Sequence, residues 1–296
     1  MKIFEYIENS EYLNNSNCMN LLKFGNEILS IIENNKNKYT SLDYTEDFLE
    51  YNDINIVFEN LKNKIIILLN VDIDFPPPNK PYSYDLFFKK YILPFDYEKI
   101  NYYQKINAKL YDIIEKNNLH VFSYSLSMNH NNSTFLPLGV TTKFNYFNLK
   151  NNCKDILCYL NFGLPCDRWF GNPRKDILKI LENKSFITKK NGLDDLSYYT
   201  DISKSKFSIC PRGCGIDTYR MWESIVLGCI PIVEKYDAHE QFIDLPILFL
   251  NKIEDYHDLE EAFLNEKYEE FLQKDFNYEK CKISYWINKI VCTNVR

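Results

Sequence analysis

The sequence has no surplus of basic residues: 35 Lys and Arg stand against 41 Asp and Glu, giving a formal net charge of −6 and an isoelectric point near 5.4. A chain whose main partner was nucleic acid would carry a net basic balance or a dense basic face. Pairs such as Lys189-Lys190 are too sparse to form one. Any phosphate bound is therefore expected to be small and held at one spot. Long apolar runs are also missing. The longest, Ile65 to Leu69, is far short of the ~20 residues a membrane helix needs. Met1 to Asn20 is polar and acidic, without the apolar centre of a signal peptide. The expectation is a soluble, cytoplasmic chain with no membrane span.

Paired metal-ligand spacings are absent as well. Nine cysteines, an odd number, are scattered through a chain too long to be a disulfide scaffold, which suits reduced thiols. The closest spacings, Cys153/Cys158 and Cys210/Cys214, lack the CxxC pairs and His partners of a zinc site. Internal repeats are missing too.

What is present is ordinary in amount and informative in order. With 45% hydrophobic and 26% charged residues, the 296-residue chain is globular and long enough for two domains. Aromatics reach 16%, a content that serves core packing first and also suits sugar stacking. An amphipathic helix is expected over Leu21–Ile32. Strands follow at Ile54–Phe58, Lys64–Ile73 and His120–Leu126, with a helical period over residues 97–117 and a loop at Asn129–Ser133. Past a polar linker at Phe147–Lys154 come strands at Ile156–Phe162, Phe207–Cys210, Ile230–Val233 and Ile247–Leu250. Helices are expected over Arg174–Leu181, Thr218–Leu227, Asp258–Phe271 and Tyr278–Val291. This alternation predicts an α/β fold of two Rossmann-like domains facing a cleft, residues 1–150 and 151–296.

The segment from Lys206 to Val233 carries the chemistry. It reads strand, glycine-bearing loop, helix, strand. Gly213 and Gly215 allow close approach of a ligand to the backbone, and Asp217 or Thr218 can cap the helix that follows. A helix start favours a diphosphate, and Arg212 and Arg220 add forked donors. Met221, Trp222, Ile225 and Val226 form the apolar stripe, which puts Glu223 on the opposite face, where a carboxylate can accept from ribose hydroxyls. The loop is neither a Walker A sequence nor GxGxxG. Taken without any relative, the residues support an anion site, and an ordinary turn with an Arg220–Glu223 surface pair stays open.

Cys210-Pro211, Gly213, Gly215, Asp217-Thr218, Arg220, Glu223 and Gly228-Cys-Ile-Pro231 together resemble the C-terminal signature of the exostosin family of glycosyltransferases. Tyr159-Leu-Asn-Phe162 with Arg174 is similar to the opening of that family's donor domain, and Phe135-Leu-Pro-Leu-Gly-Val140 to the segment before it. The resemblance implies a GT-B architecture and inverting transfer from a nucleotide-diphosphate donor, in this family generally a UDP-sugar, to a hydroxyl of a glycan or glycoconjugate, with no metal or other cofactor required. It also implies that Arg174, Arg212 and Arg220 face the diphosphate and Glu223 the ribose, with Gly213, Gly215, Asp217 and Thr218 completing the donor site.

Inverting transfer needs a base. It is expected from the first half, with His130 and Asp85 as candidates and Asp72 or Asp74 behind them. Asp72-Ile-Asp74 also has the DxD spacing of the metal-dependent GT-A transferases, which predicts sensitivity to chelators. A non-catalytic binding module on the same scaffold is a further alternative.

Overall fold

A computed structural model describes residues 21–43, 58, 60–69, 110–124, 126, 130–141, 149, 153–164, 173–213 and 215–295. The chain is α/β, built on two all-parallel sheets of four and five strands and compatible with a Rossmann-like fold. Helix α1 (Leu21–Asn34) leads into β1 (Tyr39–Asp43), β2 (Ile65–Leu69), β3 (His120–Ser123) and β4 (Ser133–Phe135), which lie side by side in chain order. The apolar run Ile65 to Leu69 is an inner strand whose Ile65, Ile66 and Ile67 are wholly buried. A parallel strand covered on both faces must be apolar at successive positions, because its two sets of side chains both leave water.

The second sheet contains β5 (Ile156–Leu160), β6 (Ile187–Lys189), β7 (Ser205–Ile209), β8 (Ile230–Glu234) and β9 (Leu248–Leu250), in the order β6-β5-β7-β8-β9. Between them run α2 (Pro173–Ile180), α3 (Asp195–Ser203) and α4 (Tyr219–Val226), and after them α5 (Glu261–Gln273) and α6 (Ile283–Cys292). The chain steps from β5 to β6 in one direction and then passes back over β5 to β7. Right-handed crossovers that reverse direction must lie on opposite faces. The core follows this rule. Ile177 of α2 packs with Cys158, Leu160, Phe207 and Ile209, whereas Tyr199 and Ile202 of α3 and Met221 and Trp222 of α4 pack with Tyr159 on the other side.

That second layer is continuous with the core of the first sheet, including Ile66, Phe122 and Phe135. Helix α6 belongs to the same core through Trp286 and Ile290, and the Lys38 ammonium donates to the Val291 carbonyl at 3.1 Å. The end of the chain thus touches the segment before β1. No helix among the described residues is long and apolar enough to cross a membrane.

Several elements differ from the sequence reading. The strand expected over His120–Leu126 ends at Ser123, and Ser133, expected to close a loop, opens β4. Strand β6 and helix α3 were not anticipated. The Ile54–Phe58 strand apart from Phe58, residues 97–109 and most of the linker Phe147–Lys154 lie outside the described residues, as do Asp72, Asp74 and Asp85.

Candidate functional site

In open parallel sheets, ligands bind beyond the carboxyl ends of the strands where the strand order reverses. Here that point lies between β5 and β7. Phe162 follows β5, Arg212 and Gly213 follow β7, and Arg174 stands at the start of α2, so the topology gathers the predicted residues at one sheet edge. The chain has only five arginines, and three of them, Arg174, Arg212 and Arg220, meet here. In a chain that otherwise uses lysine, the scarcity of arginine is the signal that composition offers, and the structure adds the convergence.

The arginines are held by aromatic faces and carbonyls. Arg174 donates from Nε to the Arg212 carbonyl and from Nη1 to the Gly163 carbonyl, both at 2.9 Å. Its guanidinium lies 5.7 Å from the Phe162 ring centroid, and that of Arg220 lies 5.9 Å from the same ring. Arg220 also sits 5.8 Å from the Tyr198 ring and donates to the Tyr198 hydroxyl. Such cation–π contacts fix a guanidinium without neutralising it. The buried Arg220 Nε has no hydrogen-bond partner. Arg174 and Arg220 are partly exposed, whereas Arg212 is buried, its guanidinium 5.8 Å from the Tyr236 ring. The Arg212 amide faces Glu234 at the end of β8, at 3.4 Å from Oε2. Burial raises the pKa of Glu234, against the pull of Tyr256 and Arg212 beside it. Two cations therefore reach the surface, and a third lies behind the loop.

The loop itself is closed by the Gly213 amide, which donates to the Gly215 carbonyl at 2.9 Å. Gly213 serves here by leaving space rather than by adopting a left-handed backbone. A Cβ there would come within 3.2 Å of Arg174 Nη2 and 3.6 Å of Thr218 Cγ2. Thr218 occupies the N-cap position of α4, but its hydroxyl makes no capping bond. The helix start thus lacks a side-chain cap, next to two partly exposed guanidiniums.

Of the two cap candidates, Thr218 takes the N-cap position and Asp217 turns inward. It is buried, and its oxygens accept from the Thr218 amide (2.8 Å), the Trp222 indole (2.8 and 3.0 Å) and the Leu138 amide (2.7 Å). Burial pushes its pKa up to about 7, against those donors. The Leu138 contact joins the donor-motif helix to the segment following β4, so the structure brings Phe135–Val140 and the Lys206–Val233 motif together. The Phe135 amide adds a bond to Gln241 Oε1 at 3.2 Å.

Glu223 does lie off the Met221–Trp222 stripe, yet that face is covered too, leaving the residue 3% exposed. Its Oε1 meets the Tyr199 hydroxyl at 3.1 Å and the Thr141 hydroxyl at 3.3 Å. Sequence reading missed Tyr198, Tyr199 and Thr141. Helix α3 carries the two tyrosines, and its weak amphipathic pattern gave no cue; Thr141 is 82 positions from Glu223.

His130 is not brought to this cluster. It precedes β4 and therefore stands at the opposite edge of the first sheet from the segment that reaches Asp217. Its ring stacks on Tyr111 at 4.3 Å, and Nε2 lies 3.1 Å from Glu115 Oε1. Asp85, the other candidate base, is outside the described residues. Compared with known proteins, the chain matches no family model and no curated sequence.

Proposed function

We propose that this protein is a GT-B-type glycosyltransferase, its two α/β halves facing a cleft, that moves a sugar from a nucleotide-diphosphate donor to a hydroxyl of a glycan or glycoconjugate. A UDP-sugar is the donor to test first, and the transfer is inverting and independent of metal. The observation that carries this reading is the meeting of Arg174 and Arg220 around Phe162, beside an uncapped helix start, at the reversal point of the second sheet. Fixed guanidiniums and helix amides suit a departing diphosphate, because they are already oriented when negative charge develops. The exostosin-like order of Gly213, Gly215, Thr218, Arg220 and Glu223 adds the sugar-nucleotide identity. Arg212 contributes charge from behind the loop, and Asp217 serves the site by fixing the loop rather than by touching the donor. The base comes from another part of the cleft.

A thermal-shift panel of nucleoside diphosphates and UDP-sugars, with and without chelator, tests this proposal. Uridine nucleotides are expected to raise the wild-type melting temperature equally in both conditions, and Arg220→Ala is expected to abolish the response. No response from any nucleotide would remove the donor site. A response abolished by chelator would favour the Asp72/Asp74 alternative, and donor binding without sugar transfer to any acceptor would favour a binding module.

A further inference from the structure

The surroundings of Glu223 point to a device that governs which ligands this site accepts. Three oxygens lie within hydrogen-bond reach of one another: Glu223 Oε1, the Tyr199 hydroxyl at 3.1 Å from it, and the Thr141 hydroxyl at 3.3 Å from Glu223 and 3.2 Å from Tyr199. The two hydroxyls own one hydrogen each. Only two of the three contacts can therefore be hydrogen bonds at any moment. Tyr199 is buried and has the shorter approach to the carboxylate, whereas Thr141 is partly exposed and has the longer one. Thr141 is thus the exchangeable member.

Thr141 arrives on a strap that leaves β4 and is pinned at two earlier points, by the Phe135 amide on Gln241 and the Leu138 amide on Asp217. Gly139 follows the second pin with φ at +70°, a conformation that favours glycine. Val140 beyond it is buried in the core, so the strap stays docked and only its end, the Thr141 side chain, can turn away. Glu223, at 3% exposure, is reached by a ligand hydroxyl only if that end gives way.

We propose that Thr141 is a specificity-determining residue: its hydroxyl stands in for a ligand hydroxyl on Glu223, and a nucleotide carrying a ribose diol displaces it. This inference rests on the donor-site reading above. A ligand with the hydroxyl replaces the bond it breaks. One without it either leaves the strap in place, gaining nothing from Glu223, or strands a buried carboxylate.

The test is calorimetric titration of UDP, 2′-deoxy-UDP and inorganic pyrophosphate into wild type, Thr141→Ala and Thr141→Ser. Removing the stand-in hydroxyl is expected to tighten UDP by about tenfold, the scale of one hydrogen bond to a charged group. Pyrophosphate affinity should stay at the wild-type value, the preference for UDP over 2′-deoxy-UDP should widen, and Thr141→Ser should restore wild-type behaviour. If UDP binds wild type but Thr141→Ala binds it equally or more weakly, or pyrophosphate shifts in parallel, the stand-in role is overturned while the donor site survives. If wild type binds neither UDP nor pyrophosphate, the donor site fails, and the stand-in role falls with it.

Discussion

The two sheets of this protein are built from the same kind of parallel strands, yet only one gathers the predicted donor-site side chains. In the first, β1 to β4 advance in one direction, so its described crossovers offer no point where loops part to opposite faces. In the second, the chain reverses between β5 and β7, and the loops after those strands diverge, leaving room at the strand ends. Arg174, Phe162, Arg212 and Gly213 all sit at that divergence. The first sheet contributes instead through the strap that leaves β4 and docks on Asp217, Gln241 and Glu223. Strand order, more than composition, separates the half whose strand ends carry the predicted residues from the half that docks a strap on them.

The largest expected effect tests the side with the reversal. Arg220→Ala should weaken UDP by about 2 kcal/mol or more, since it removes a charge proposed to face the diphosphate; calorimetry reads it directly. A loss confined to stability, with affinity kept, would separate Arg220 from the ligand.

Next comes the joint between the two halves. Asp217 has a folded pKa of about 7 against an ordinary 3.8, so the native state holds a proton the unfolded chain gives up. Stability from this group is therefore fully present below pH 3.8 and lost as pH rises toward about 7. The slope is at most ~1.4 kcal/mol per pH unit. Urea unfolding across that window should show a flatter profile in Asp217→Asn than in wild type, and identical slopes would remove the buried ionisation. Smaller still, Gly213→Ala should weaken UDP by about 1 kcal/mol as Arg174 is pushed aside, with little change in melting temperature. Smallest is His130→Ala. It should leave UDP affinity unchanged and alter stability by about 1 kcal/mol at most through Glu115 and Tyr111. A large drop in affinity there would tie the far edge of the first sheet to the site.

The longer apolar strands were legible in the sequence because burial on both faces demands successive Ile, Val, Leu and Phe, as in β2, β5, β7 and β8. Of the three-residue strands, the apolar β9 was legible and the other two were not. Ser133-Thr-Phe135 and Ile187-Thr-Lys189 are edge strands, too short and too polar to rise above a loop. Missing β6 and α3 hid Tyr198 and Tyr199, and with them the aromatic wall of Arg220. The helical period of α4 correctly set Glu223 apart from Trp222. Periodicity says nothing about what covers the second face, however, and here the cover comes from Tyr199 and from Thr141 in the other half. The bond from the Leu138 amide to Asp217 was hidden for a related reason: an aspartate before a helix reads as a local cap until a distant amide is found on its second oxygen.

The most direct test of the donor site is calorimetric titration of UDP into wild type and the Arg174→Ala/Arg220→Ala double variant, with both proteins shown to be folded. Saturable one-site binding by wild type and none by the double variant is the expected result. Equal binding by the two, or binding by neither, would contradict the assignment of the β5–β7 crevice as the place where a nucleotide diphosphate is held.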